Sequence, residues 1–112
     1  MDLDQARARL LAERADVEAL LRDAEAAVEQ DAEAEAETGD AGDVAQPLAA
    51  QGVDQATADR LRDRLDALGR ALRRLEDGSY GRSVRSGLPI PDDRLEADPA
   101  AELTVEEARN QR

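Results

Sequence analysis

The side chains in this chain that could do chemistry are carboxylates and almost nothing else. Asp and Glu number 27 against 15 basic residues, all of them arginine, and the formal net charge at pH 7 is −12. There is no cysteine, no histidine and a single methionine. No disulfide or thiolate site can form, and the usual ligands for zinc, copper and iron are missing. No nucleophile and base can be paired, and the 112 residues leave no room for a catalytic domain, so an enzyme is not expected. The carboxylates are densest mid-chain, where Asp23, Glu25, Glu29, Asp31, Glu33, Glu35, Glu37, Asp40 and Asp43 fall in an interval, Arg22 to Arg60, with no basic residue inside it. On composition alone Asp40 and Asp43 read as part of a solvated polar turn.

Two long helices are the elements that would carry such a turn. From Leu3 to about Glu37, Leu10, Leu11, Val17, Leu20, Leu21 and Val28 recur at helical spacings, with Asp2 or Asp4 available as a cap. The Ala/Glu run at 31–37 has good helix propensity but repels itself at i,i+4, which favours fraying. Thr38-Gly39-Asp40-Ala41-Gly42-Asp43 reads as a turn. In the second helix Leu61, Leu65, Leu68, Leu72 and Leu75 follow a 4-3-4-3 spacing, the seam of a coiled coil. Its favoured start is near Val44, since Pro47 fits a first turn; the alternative is an interruption at Gly52 with Asp54 as the cap. Asp77-Gly78 ends it. Buried seam to seam, the two helices make an antiparallel hairpin on the order of 40 to 50 Å long, at about 1.5 Å per residue. The arginines of the second helix read as partners for the acidic first helix.

Beyond the hairpin (1–78, with its tip near 38–46) lies a turn-rich segment, 79–112, in which Thr104-Val105-Glu106-Glu107 has the form of a capping box opening a short last helix. The negative charge would repel a phosphate backbone, so direct nucleic-acid binding is not expected. The first twenty residues contain no unbroken apolar run, which argues against a signal peptide or membrane span and for the cytoplasm.

Three runs carry a resemblance: Leu75-Glu76-Asp77-Gly78-Ser79-Tyr80-Gly81, then Gly87-Leu88-Pro89-Ile90-Pro91, then Arg94-Leu95-Glu96-Ala97-Asp98-Pro99-Ala100-Ala101. Together they resemble the DksA/TraR family of bacterial RNA polymerase regulators, with many fixed positions in register from about Asp40 to Glu107; the first helix matches only in kind. The family's four zinc-binding cysteines correspond to Ser83, Ser86, Thr104 and Glu107, so every zinc ligand is replaced. Three neutral oxygens and one carboxylate make a poor site even for a hard cation, and neither metal nor cofactor is expected. The family's acidic tip motif, D-x-x-D-x-A, is matched by Asp40, Asp43 and Ala45.

The resemblance implies an all-α fold: an antiparallel two-helix coiled-coil hairpin with a small, metal-free, zinc-finger-like C-terminal module ending in a short helix. It also implies a transcription regulator that binds bacterial RNA polymerase and inserts the hairpin into its secondary channel, with Asp40 and Asp43 near the catalytic magnesium. Free, such a probe should be a monomer; no residue calls for the nucleotide effector ppGpp. The alternative function is a helical interaction or dimerisation module that has lost polymerase binding. Zinc contributes roughly 10 to 16 kcal/mol of apparent binding energy in small fingers, and a cap only about 1 kcal/mol. The capping box at Thr104 and Glu107, with Ile90, Leu95, Leu103 and Val105 packed near Tyr80, is therefore expected to leave the module looser than its zinc-bearing relatives.

Overall fold

A computed structural model describes the backbone of residues 1–38 and 45–111 and the side chains of residues 1–29 and 55–111. Four helices follow in order: α1 (Leu3–Thr38), α2 (Ala45–Asp77), α3 (Asp92–Ala97) and α4 (Val105–Asn110). No strand occurs among the described residues, and the one β-bridge joins Arg82 to Pro89.

Local chemistry sets the helix ends. Asp2 caps α1, its carboxylate accepting from the Asp4 amide at 3.1 Å. The Ala/Glu run stays helical to Thr38. α2 takes the early start at Ala45 and runs through Pro47 and Gly52 without a break; proline in the first turn forfeits an amide that has no intrahelical acceptor anyway. Its other end is closed at Gly78, whose φ of +84° lets the Ser79 and Tyr80 amides return to the Arg74 carbonyl at 3.0 and 3.1 Å.

The chain divides into two compact units. One comprises Met1–Arg14 and Asp66–Arg112, pairing the start of α1 with the end of α2 and including α3 and α4. Its helix pair buries Ala6, Leu10, Leu68, Ala71 and Leu75. Leu10 and Leu68 are fully enclosed, each contributing about 1.5 to 3 kcal/mol by leaving water. Ile90, Leu95 and Ala101 form a second cluster, with Met1 and Tyr80 packed on it. The other unit, Ala15–Leu65, pairs the later part of α1 with the earlier part of α2; Val17 and Ala58 are buried there, and Arg62 meets Glu25 at 3.6 Å. In each unit an early stretch of one helix lies with a late stretch of the other, the pairing of an antiparallel helical hairpin.

The packing corrects three expectations. Leu11 (40 % exposed) and Leu20 (55 %) lie off the packed stripe, in which Ala6, Leu10 and Val17 are buried and Glu13, Leu21, Ala24 and Val28 half-buried; a helix seam admits only one of two adjacent leucines. Val105 is also exposed, because it opens α4 directly after its cap, and Ala101 and Met1 occupy the cluster instead. Finally, the arginines of α2 have partners beyond the acidic helix: Arg62 meets Glu25 of α1, whereas Arg70 and Arg74 reach Glu102 in the C-terminal segment.

Candidate functional site

Ser83, Ser86, Thr104 and Glu107, which are spread over 25 positions of sequence, meet in one hydrogen-bonded cluster. The turn that carries the serines is defined by its backbone: the Ser83 amide donates to the Leu88 carbonyl at 2.8 Å and the Gly87 amide to the Ser83 carbonyl at 2.9 Å. Gly87 sits at φ +77°, a conformation that side-chain-bearing residues rarely adopt. The Val84 amide donates to the Glu102 carbonyl at 2.9 Å, which fixes the turn beside the segment leading to α4.

Ser83 is the one buried polar side chain of the described core, at 5 % exposure. Its hydroxyl donates to Glu107 Oε2 at 2.9 Å and accepts from the Arg85 and Ser86 amides at 3.1 and 3.2 Å. One donor and two acceptor sites exhaust a serine hydroxyl. The Ser86 hydroxyl accepts from the Leu88 amide at 3.2 Å.

On the other side the expected capping box is present in full. Thr104 Oγ1 accepts from the Glu107 amide at 3.3 Å, and Glu107 Oε1 accepts from the Thr104 amide at 3.0 Å. Glu107 thus faces two ways, one oxygen closing its own helix and the other holding Ser83. The Thr104 amide first, then the Ser83 hydroxyl, and more weakly the Thr104 and Ser86 hydroxyls, hold its carboxyl at about 2 against an ordinary 4.5.

Around this cluster the residues shared with the three resembling runs turn out to hold the segment together. Tyr80 donates its hydroxyl to the Pro99 carbonyl at 2.8 Å, and partial burial pushes its phenol up. Arg94 Nε donates to the Leu103 carbonyl at 2.7 Å. Leu95, Pro99, Ala100 and Ala101 are buried. Glu102, singled out by no periodicity or motif, receives a forked pair from Arg70, at 2.7 Å from Nη2 and 3.2 Å from Nε, and lies 3.7 Å from Arg74 Nη1. The other Arg74 amino nitrogen is buried without an acceptor.

No family model matches the chain. The RNA polymerase-binding transcription factor DksA of two Caulobacter vibrioides strains is 50 % identical to it over 50 residues, 45 % of this chain and 35 % of the relative. General stress protein 16O of Bacillus subtilis is 43 % identical over 53 residues, 47 % of this chain and 32 % of the relative. The chain therefore spans about a third of the length of these curated relatives. Among solved structures, transcription factor DksA2 from Pseudomonas aeruginosa superposes with a TM-score of 0.82 at 27 % identity, over 97 % of this chain and 81 % of its own. This chain is DksA-like.

Within the DksA-like fold, the cluster is where the resemblance puts zinc, and its donor set does not fit that metal. It offers neither thiolate nor imidazole. Both Glu107 oxygens and both lone pairs of the Ser83 hydroxyl already accept hydrogen bonds. No group of three or more His, Cys, Asp or Glu suited to a metal occurs among the described residues. Of the DksA-like tip positions, Asp40 and Asp43 lie outside the described residues. Ala45 is the first residue of α2, its side chain outside them too. No helix among the described residues is long and apolar enough to cross a membrane.

Proposed function

We propose that this chain is a non-enzymatic, cytoplasmic transcription regulator that binds bacterial RNA polymerase and places Asp40 and Asp43 inside the enzyme's secondary channel. The observation that carries the reading is the likeness to DksA2 along nearly the whole chain. Its support is the name of the curated relatives, an RNA polymerase-binding transcription factor. In sequence both acids fall between Thr38, where α1 ends, and Ala45, where α2 begins, with Ala45 completing the motif. In a narrow channel with little water to screen them, two carboxylates act strongly on nearby cations and metal-bound water, whereas in bulk solvent the same charges are worth about 1 kcal/mol or less at 4 Å.

The test is binding to purified bacterial core RNA polymerase by the unmodified chain and by Asp40→Asn/Asp43→Asn, read together with transcription from a ribosomal promoter. Comparable binding by both, with an effect on transcription from the unmodified chain alone, is the expected result. Absence of binding at micromolar concentration refutes it. Sedimentation of the free chain as a stable dimer would point instead to a self-associating helical module.

A further inference from the structure

We propose that Ser83 and Glu107 form a metal-free clasp that cross-links the 83–88 turn to α4, the mechanical task for which the family resemblance expects a zinc ion. A zinc site of that kind ties two short chain segments together through ligands contributed by both. Here the same two segments are tied through one carboxylate. Glu107 Oε2 takes the Ser83 hydroxyl at 2.9 Å across 24 residues of sequence, while Oε1 takes the Thr104 amide at 3.0 Å.

The clasp extends past its own two residues. With its proton committed to Glu107, the Ser83 oxygen is oriented to accept the Arg85 and Ser86 amides, and those two bonds shape the turn. Glu107 therefore governs amides that it does not touch. A capping box by itself cannot do this, because its hydrogen bonds stay within residues 104–107.

The residue types are specific. An ionised carboxylate offers acceptors in two directions and no donor, as the Thr104 amide and the Ser83 hydroxyl require. In Glu107→Gln one oxygen becomes an amino group, and whichever way the amide faces, it meets either the Thr104 N–H or a Ser83 oxygen whose lone pairs are both in use. The clasp needs no metal: each Glu107 oxygen already accepts a hydrogen bond, and the Ser83 hydroxyl has no lone pair left to offer one.

Amide hydrogen exchange of the full chain tests this, since exchange reports local opening residue by residue. Glu107→Gln should speed exchange at Arg85 and Ser86 on the order of tenfold, the effect of losing one charge-assisted hydrogen bond, as well as at Thr104. Thr104→Ala removes the cap but not the Ser83 bond; it should speed exchange within 104–110 and leave Arg85 and Ser86 near their original rates. In the unmodified chain, neither a strong chelator nor added zinc should change any of these rates. Unchanged Arg85 and Ser86 exchange in Glu107→Gln would overturn the clasp. So would faster exchange of the unmodified chain in chelator, or slower exchange with zinc, and these measurements do not depend on any variant folding.

Discussion

Leu10 and Leu11 are adjacent, identical in type and equally suited to the helical period, yet Leu10 is fully enclosed and Leu11 is 40 % exposed. Truncating each to alanine is a one-residue test of the packing register. Leu10→Ala deletes side-chain atoms from a site with no solvent access, so the loss comprises both the transfer term and a residual cavity. Buried Leu→Ala changes of this kind cost about 2.7 to 5 kcal/mol, and roughly 3 kcal/mol is expected here, since Leu10 lies on a helix pair that can close part of the gap. Leu11→Ala removes atoms that already face water in part, for a cost of about 1 kcal/mol or less. Urea unfolding followed by far-UV circular dichroism separates the two, provided the slope with denaturant is unchanged. At roughly 4 °C per kcal/mol for a chain of this size, the melting temperature should fall by about 12 °C for Leu10→Ala and by a few degrees at most for Leu11→Ala. Equal losses, or a larger loss for Leu11→Ala, would refute the register and move the seam by one residue.

Two further outcomes are expected. The Glu107 carboxyl, held at about 2 in the folded chain against an ordinary 4.5, contributes stability that is fully present above about pH 4.5 and is lost as pH falls toward about 2. Asp77, held low by the Ser79 hydroxyl and amide, acts in the same direction. Monitoring the Glu107 carboxyl by NMR while following exchange at residues 83–110 should show the loosening track that titration, and a midpoint at 4 or above would contradict the bonding seen. Gly78→Ala should destabilise the chain by about 1 kcal/mol through backbone conformation alone, because φ is +84° while an added Cβ meets nothing within 4 Å. A urea midpoint equal to that of the unmodified chain would show that the helix end does not depend on the left-handed residue.

What the residues alone determined about this protein is whatever depends on one or two turns of backbone. The leucine spacing of α2, its end at Gly78, its start ahead of Pro47 and the capping box at Thr104 and Glu107 are all local patterns. Helix period, φ preference and side-chain reach decide each of them without reference to the rest of the chain. The absence of thiols and imidazoles was equally plain, because composition excludes a thiolate or imidazole zinc site whatever the fold. The runs that resemble the DksA/TraR family were legible for a related reason: Tyr80, Leu95, Pro99 and Ala101 turn out to be packing and hydrogen-bonding residues, and packing constrains residue type at fixed spacing.

Only the tertiary structure decided which candidates meet. That Leu10 rather than Leu11 faces inward depends on the angle at which α1 meets its partner helix, which a pattern containing both leucines leaves open. That Arg70 reaches Glu102, 32 residues away, depends on where the segment after α3 returns to α2. The Ser83 to Glu107 bond spans 24 residues and joins the first residue of a turn to the third residue of a helix. No periodicity links such positions. They meet because the Ile90, Leu95 and Ala101 cluster folds the intervening chain back on itself, and burial of that kind is a property of the assembled segment.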